Sequence, residues 1–188
     1  DTWTEVLNSG TSEITVLYST ENALYVGLDN GNVKKTINGT IFINILSDTS
    51  LGKIRDITLF ASSLYLVSYN ETTETNFVKY SNDDSTYDNI TPPTLSAGSL
   101  RKIFAYENVI YVMNDNKIFS LEDIAISDWS EKKTFIETDA IINDILVDDE
   151  HVYFALGLGG LYKTDDMLLF TTLATVNTVS VTKSGSLI

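Results

Sequence analysis

The sequence predicts an all-β protein made of about four to five repeats of a four-stranded antiparallel unit, each about 43 residues long. Two recurring markers lead to this fold class. An aliphatic-Tyr-aliphatic triplet recurs at intervals of 40, 46 and 42 residues, with its tyrosines at Tyr25, Tyr65, Tyr111 and Tyr153. An aromatic residue also recurs at intervals of 39, 45, 42 and 41 residues, at Trp3, Phe42, Tyr87, Trp129 and Phe170. Two independent markers with one period indicate a repeat architecture.

Each unit is predicted to contain four short strands. The first carries two aliphatic residues, eleven and eight positions before the tyrosine, in the pairs Ile14 and Leu17, Ile54 and Ile57, Leu100 and Ile103, and Ile142 and Ile145. The tyrosine lies in the second strand, and the marker aromatic opens the fourth. Third strands are predicted at residues 33–35, 77–80, 117–119 and 160–163, after turns rich in residues that accept positive φ.

Three segments depart from this regular pattern. The second unit has a longer polar loop, about residues 70–76, between its second and third strands. Residues 119–129 could hold one helical turn, because their connection is longer than its counterparts. A fifth copy of the first strand is predicted to begin at Val176 and Val179.

A four-stranded unit of this kind cannot bury both of its apolar faces by itself. Radial stacking of such sheets buries both faces and leaves only short edges, which is the architecture of a β-propeller. Units of about 40 to 50 residues with four strands are typical of propeller blades. A sandwich is the main alternative for many short strands, but it gives no reason for an internal period. The sequence therefore predicts a β-propeller or a partial propeller.

We expect residues 1–188 to form a single β-propeller domain or a propeller fragment. The repeats run approximately over residues 9–47, 48–93, 94–136 and 137–175, and residues 1–8 and 176–188 contribute to a shared closing blade. That blade would lack roughly a strand and a half. A fragment of a larger propeller is favoured, because four whole blades and a remnant make a tight ring. A five-unit ring with a defective closing blade and a ring completed by a second copy are the alternatives.

Composition limits the classes of partner. The net charge is −14, from 26 acidic and 12 basic residues, which argues against binding to nucleic acid or to an anionic membrane surface. No apolar run approaches 18 residues, so no membrane insertion is expected. The absence of cysteine excludes disulfides and cysteine-ligated zinc. An extracellular or cell-surface protein fits this composition, and a cytoplasmic one is left open.

The turns between the third and fourth strands share a second pattern. A hydroxyl residue is followed two positions later by Asn or Asp and six positions later by an aromatic residue, in the segments 36–42, 81–87 and 164–170. The third unit has a distorted version at Ser120, Glu122 and Asp123, and Trp129 arrives late. Such turn residues bond the backbone locally.

This pattern resembles the Asp-box, or BNR repeat, of sialidase-like propellers, although each copy is one residue shorter. The opening Asp1, Thr2 and Trp3 resemble the end of one more box. The resemblance implies a structural turn in which the carboxylate and hydroxyl bond backbone groups while the aromatic packs between strands. We therefore expect structural roles for Asn38, Asp83 and Asp166.

A sialidase-like enzyme would need an arginine triad, as the resemblance implies, and this chain has two arginines, Arg55 and Arg101, at equivalent repeat positions. The single histidine, His151, follows three acidic residues and could be a metal ligand or a base, but a solvated turn residue is favoured. Carboxylates such as Asp29, Asp56 and Asp144 are too numerous to single out a glycosidase pair. No cofactor or metal site is predicted.

The best candidate binding residues are polar side chains on the first strands, which would face a central channel or its rim: Arg55, Asp56, Arg101, Lys102, Asn143 and Asp144, with Asn177 and Thr178 in the fifth copy. A hydrated channel lining is the alternative interpretation. The expected function is a non-catalytic binding or assembly module for a protein or glycan ligand. The alternatives are part of a glycoside hydrolase, and a structural component of a surface layer, appendage or virion. An oligomer is expected if the ring closes between chains.

Overall fold

The computed structural model describes residues 5–95, 98–136 and 140–182. Within these residues the chain forms 16 strands and one short 3-10 helix, Thr49–Leu51. The strands form four antiparallel sheets of four strands each, and neighbours in each sheet are neighbours in sequence. Among the described residues no helix is both long and apolar enough to cross a membrane. The predicted all-β repeat of four-stranded units is confirmed.

The first sheet contains β1 (Ile14–Ser19), β2 (Leu24–Leu28), β3 (Asn32–Thr36) and β4 (Ile43–Ser47). The second contains β5 (Lys53–Phe60), β6 (Ser63–Asn70), β7 (Thr75–Ser81) and β8 (Asp88–Ile90). The third contains β9 (Lys102–Tyr106), β10 (Val109–Met113), β11 (Lys117–Asp123) and β12 (Asp128–Thr134). The fourth contains β13 (Ala140–Val147), β14 (Val152–Gly157), β15 (Leu161–Thr164) and β16 (Phe170–Ala174).

The chain divides into two compact units, residues 1–105 and 106–188, with the boundary at the end of β9. In the first unit, the sheets β1–β4 and β5–β8 pack against each other. Their shared core contains buried residues from both sheets and from the 3-10 helix: Tyr25, Val33, Leu51, Ile54, Ile57, Leu64 and Leu66. The tyrosine marker of the first repeat is thus a core residue.

Gly27, the fourth of the five residues of β2, allows the first two sheets to approach closely. A Cβ at this position would lie 2.6 Å from Val16 Cγ1 and 2.7 Å from Ile54 Cγ2. These distances are far shorter than van der Waals contact, so a side chain at residue 27 would require the strands to move. This glycine is therefore a packing requirement and not a turn signal.

A cluster of aromatic rings lies in the interior of the second unit. The ring of Phe135 lies 6.2 Å from that of Phe154, 5.2 Å from that of Tyr162 and 5.7 Å from that of Phe170, centroid to centroid. The last pair is perpendicular, an edge-to-face geometry that aromatic quadrupoles favour. Phe170, the marker aromatic of the fourth repeat, thus anchors the start of its outer strand in this cluster.

Three local predictions need correction. Residues 119–129 contain no helical turn, because β11 continues to Asp123 and a four-residue turn leads directly into β12. The loop between β6 and β7 has only four residues, because both strands extend into the segment predicted to be loop. Leu100 also precedes β9, although it is fully buried and its N–H donates to Asn76 Oδ1 at 2.7 Å.

The predicted fifth first strand is reduced to a single bridge. Thr178 and Gly157 exchange two backbone hydrogen bonds of 2.9 Å, and residues 176–182 form no further ladder among the described residues. The shared closing blade stays a prediction. Trp3, the rest of residues 1–4, and residues 183–188 lie outside the described residues.

Three of the outer strands carry a one-residue bulge at matching positions. The extra residues are Ile45 in β4, Lys132 in β12 and Leu173 in β16. A bulge bends the strand and increases its twist, which is one way that natural sheets keep a free edge from pairing. The bulge is therefore part of the repeat, although no residue pattern in the sequence predicts it.

The turn between β5 and β6 offers a direct test of the backbone geometry. Ala61 and Ser62 both have positive φ, 48° and 68°, which is the type I′ arrangement. We expect Ser62→Gly to raise the free energy of unfolding by about 0.5 kcal/mol, because glycine adopts this conformation without steric cost while losing more chain entropy. Urea unfolding measures this change. Ser63→Gly, in the extended backbone of β6, is the control and should lower stability; an equal loss in both variants would contradict the assigned turn.

Candidate functional site

Arg55 lies beside a pocket, and a bulge in β5 orients its side chain. Arg55 is the extra residue of a bulge in β5, because Ile54 pairs with Ser68 and Asp56 with Val67. Bulges re-aim side chains. The guanidinium Nη2 donates to Glu71 Oε1 at 3.1 Å and lies over the ring of Tyr69, 5.9 Å from its centroid.

Asp56 and Asp144 each accept a backbone hydrogen bond from a later segment of their own unit. Asp56 Oδ2 accepts from the N–H of Ile103 at 3.0 Å, and Asp144 Oδ2 accepts from the N–H of Val181 at 3.1 Å. The same repeat position therefore links a first strand to the following segment in both units. A charged acceptor makes such a bond stronger than a neutral one.

The position just before this aspartate makes a similar link in two repeats. Thr15 Oγ1 donates to the carbonyl of Ile54 at 2.6 Å, and Asn143 Nδ2 donates to the carbonyl of Thr178 at 3.4 Å. Arg101 is exposed just before β9, and Lys102 is the first residue of that strand. As ligand-binding residues these candidates stay a prediction; the hydrogen bonds described here join successive segments of the chain.

A polar pocket lies at one edge of the first unit, where the β2–β3 turn, the β4–β5 connection and the β6–β7 turn meet. Its volume is about 490 Å³. We call it the turn pocket. Its lining consists almost entirely of polar turn residues: Glu13, Asp29, Asn30, Thr49, Gly52, Lys53, Tyr69, Asn70, Glu71 and Thr72. Arg55, held against Glu71 and Tyr69, supports this pocket from its side.

Local hydrogen bonds fix two of these turns. Glu13 N–H donates to Asp29 Oδ1 at 3.0 Å, and Asp29 N–H donates to the carbonyl of Glu13 at 3.1 Å. Asn70 Nδ2 donates to the carbonyl of Ser50 at 2.8 Å, while its Oδ1 accepts from the N–H of Thr72 at 2.9 Å. Asparagine thus uses both ends of its amide, which holds the β6–β7 turn against the β4–β5 connection.

The β4–β5 connection is held by its own cap. Asp48 Oδ1 accepts from the hydroxyl of Ser50 at 2.6 Å and from the N–H of Ser50 at 3.1 Å. The hydroxyl bond is the main reason that the pKa of Asp48 lies below its ordinary value. Gly52 follows with φ of +64°, and a Cβ there would lie 2.6 Å from the carbonyl oxygen of Tyr69. The connection can therefore approach β6 only with glycine at this position.

The three regular third-to-fourth-strand turns share one hydrogen-bond pattern. In each turn the Asn or Asp Oδ1 accepts from the N–H groups two and three residues later, at 2.8 to 3.0 Å; the acceptors are Asn38, Asp83 and Asp166. The preceding hydroxyl residue bonds the same Oδ1 at 3.1 to 3.4 Å in all three turns. The structural role expected for these residues agrees with this geometry, whereas Ser120 and Glu122 bond each other and form no such turn.

Backbone donors keep two of these carboxylates ionised. The N–H groups of Thr86 and Ser85 hold the pKa of Asp83 far below its ordinary value. The N–H groups of Leu169 and Leu168 lower the pKa of Asp166 in the same way. The next residue has positive φ in all three turns: Gly39 at 72°, Asp84 at 58° and Met167 at 58°. Only the first of these carries the glycine of the Asp-box pattern.

His151 lies between two aspartates of the fourth sheet. Its Nδ1 is 3.5 Å from Asp148 Oδ1 and its Nε2 is 3.6 Å from Asp165 Oδ1. Lys163 Nζ lies 3.3 Å from the same Asp165 oxygen. Among the described residues, no group of three or more His, Asp or Glu side chains is placed to hold a metal ion.

No protein-family model matches the chain, and no curated protein matches it. Solved structures do resemble it. A catalytically inactive virginiamycin B lyase from Staphylococcus aureus with quinupristin has a TM-score of 0.69 at 12% identity, covering 89% of this chain and 57% of the lyase. The Pan2 WD40 domain of Neurospora crassa has a TM-score of 0.63 at 13% identity, covering 87% of this chain and 49% of that chain. YCF48 bound to D1 peptide has a TM-score of 0.60 at 12% identity, covering 86% of this chain and 55% of that chain.

These neighbours are β-propeller proteins, and the four sheets of this chain match their blades. The predicted fold class, a β-propeller or partial propeller of four-stranded blades, is confirmed. Identities of 12 to 13% establish the fold alone. This chain spans about half the length of these three proteins, 49 to 57%.

The shared turn geometry predicts a pH-dependent contribution to stability. Because the pKa of Asp166 is lowered by folding, its ionised form stabilises the fold at neutral pH, and this contribution is lost as the pH falls below about 4. Asp166→Asn keeps an acceptor oxygen, as Asn38 does naturally, but removes the charge. We expect the stability difference between wild type and Asp166→Asn to be largest near neutral pH and to shrink in acid, as measured by urea unfolding.

Asn38→Asp is the matched change in the opposite direction. It should raise the free energy of unfolding at neutral pH relative to its value in acid, because the new carboxylate would accept hydrogen bonds from the same two backbone N–H groups. A stability difference that stays constant with pH in both variants would contradict this account of the turns.

Proposed function

We propose that this chain is a non-catalytic recognition module that binds a glycan in the turn pocket. The observation that carries the proposal is a pocket of about 490 Å³ built by polar turn side chains from two adjacent blades. Concave sites with a few fixed polar groups are the usual form of a ligand site. The turns are held by internal hydrogen bonds, so the polar groups are positioned before a ligand arrives.

The chemistry of the lining favours a hydroxyl-rich ligand. The carboxylates of Glu13, Asp29 and Glu71 accept hydrogen bonds, while Lys53 and the asparagine amides can donate them. Sugar hydroxyls both donate and accept. Tyr69 adds an aromatic ring with a polar tip, which suits a ligand with apolar C–H faces and polar edges.

The arginines support a non-catalytic role. A sialidase-like clamp needs three arginines, as the Asp-box resemblance implies, and the chain has two. Arg55 is bound to Glu71, and Arg101 precedes a different strand. If the chain is part of a glycoside hydrolase, which is the alternative, that enzyme would need substrate-binding groups other than these two arginines.

The relation to Asp-box propellers is part of the same proposal. Three turns with one hydrogen-bond pattern support it, together with an aromatic residue at the start of the following strand or immediately before it. Close homologues should keep the hydroxyl residue and the Asn or Asp at these positions, since the turn depends on both. Homologues that lack both would contradict this relation.

A glycan array probed with the 188-residue chain tests the function. We expect selective binding of a subset of glycans, with affinity reduced about fivefold in Glu71→Gln, since one hydrogen bond to a charged group is removed. Tyr69→Ala should reduce it further. Glu74→Gln is the matched control, because Glu74 lies in the same turn but does not line the pocket.

Three results would count against the proposal. No selective binding on the array would contradict it, as would equal affinities of Glu71→Gln and Glu74→Gln. Release of free sugar from the bound glycans would instead favour the glycoside hydrolase.

A further inference from the structure

A second concave surface lies at the opposite edge of the same two sheets. The β3–β4 and β7–β8 turns form it, and antiparallel strands place these turns at the end away from the β2–β3 turn. Its volume is about 660 Å³. We call it the isoleucine cleft, after its floor of Ile37, Ile41, Ile43 and Ile45, with Asp83 and Asp84 at the rim.

The floor of the cleft is an exposed apolar surface. The side chains of Ile37, Ile41 and Ile43 are 79%, 67% and 57% exposed. Single exposed apolar residues are ordinary, but several isoleucines that line one concavity mark an interaction surface. An adjoining cavity of about 570 Å³ shares Ile37 and both aspartates and adds Glu21 and Leu59, so the apolar floor and acidic rim continue along this edge.

The two aspartates at the rim of the cleft differ in their ion pairing. Lys35 Nζ lies 2.6 Å from Asp84 Oδ2, and this bond is the main reason that the pKa of Lys35 is raised, so the two charges offset each other. Asp83 uses Oδ1 to accept the hydrogen bonds of the turn, and its carboxylate, which is exposed, also has a side-chain hydrogen bond with Ser85. None of the ion pairs found in the part of the chain that the structure describes involves Asp83, so an ionised, exposed carboxylate lies beside the isoleucines.

The outer edge of the first sheet borders this cleft and is protected by the bulge at Ile45, but not by charged side chains or by a very short strand. The edge strand β8 has only three residues, and β12 carries Glu131, Lys132 and Lys133. Short or charged edge strands resist pairing. In contrast, β4 has no charged residue, and its first two residues, Ile43 and Asn44, precede the bulge at Ile45 and are exposed.

We propose that the isoleucine cleft docks an extended peptide segment of a partner protein, carrying an aliphatic side chain next to a lysine or arginine. The aliphatic group would be buried against Ile41 and Ile43, and the cation would bind the exposed carboxylate of Asp83. The backbone of the peptide would add to the free edge of β4, a common mode of peptide recognition. The net charge of −14 favours approach of a basic segment. This site is separate from the turn pocket and does not depend on glycan binding there.

A phage-displayed library of random twelve-residue peptides, selected on the 188-residue chain, tests the proposal. We expect enriched sequences that combine an aliphatic residue with a neighbouring Lys or Arg. Synthetic peptides of those sequences are then titrated against the ¹⁵N-labelled chain, and their amide shifts should map to residues 37–45 and 83–86. Replacing the basic residue of the peptide by Gln should weaken binding about threefold to fivefold, the effect of a partly exposed ion pair.

Two variants and two matched controls separate the contributions of the carboxylate and of the apolar surface to peptide binding. Asp83→Asn removes the charge while keeping the turn acceptor, as Asn38 shows in the first repeat, and should weaken binding about threefold to fivefold. Ile41→Ser should weaken it about tenfold through lost apolar burial. Asp166→Asn and Leu169→Ser change the equivalent turn positions of the fourth sheet, outside the cleft, and should leave affinity unchanged.

Several outcomes would overturn the proposal. These are no enrichment of any peptide family, enriched peptides without basic residues, amide shifts that map outside the cleft, and equal losses in Leu169→Ser and Ile41→Ser. A dimer of the chain that Ile41→Ser dissociates would assign the cleft to a second copy and would also overturn it. Loss of glycan binding by itself would bear only on the turn pocket.

Discussion

The close approach of the first two sheets at Gly27 is the constraint on which the rest of the first unit depends. With no side chain at this position, Val16 and Ile54 meet across β2, and the core that includes Tyr25, Leu64 and Leu66 closes around them. Each sheet is a meander of four short strands with little stability of its own, so face-to-face packing supplies most of the apolar burial. The tyrosine recurs with this period because each copy is buried in the second strand of its sheet.

The same packing creates a recessed surface at each end of the strands. At one end, turns rich in Asn, Asp and Glu meet and form the polar turn pocket; at the other, the β3–β4 turn adds isoleucines beside the carboxylate of Asp83. The two surfaces differ in chemistry because their turns differ in sequence, while their positions follow from one stacking geometry. The scaffold therefore separates a hydrogen-bonding surface from an apolar, acidic one.

Periodicity predicted the strands well because each repeat must place an apolar strand in the same environment. It failed where local backbone geometry intervenes. The bulge that aims Arg55 at Glu71 and the bulge at Ile45 leave no mark in the residue pattern. Polarity and position on the first strands predict Asp56 and Asp144 as channel-facing candidates, but their bonds to the N–H groups of Ile103 and Val181 depend on long-range placement. The turn pocket joins residues from four separate segments, which no short motif could bring together. By contrast, the hydroxyl–Asn/Asp pairs of the third-to-fourth-strand turns could be predicted, because they act within six residues.

The stability of Gly27→Ala tests the central packing claim most directly. In an extended strand without steric conflict, alanine would raise the free energy of unfolding by about 0.4–1 kcal/mol, since it reduces the entropy of the unfolded chain. If the sheets approach as described, the added methyl group must displace Val16 and Ile54, and urea unfolding should instead give a loss of about 1–3 kcal/mol. The sign of the change decides: a loss supports the stacked sheets, and an unchanged or increased stability would contradict them.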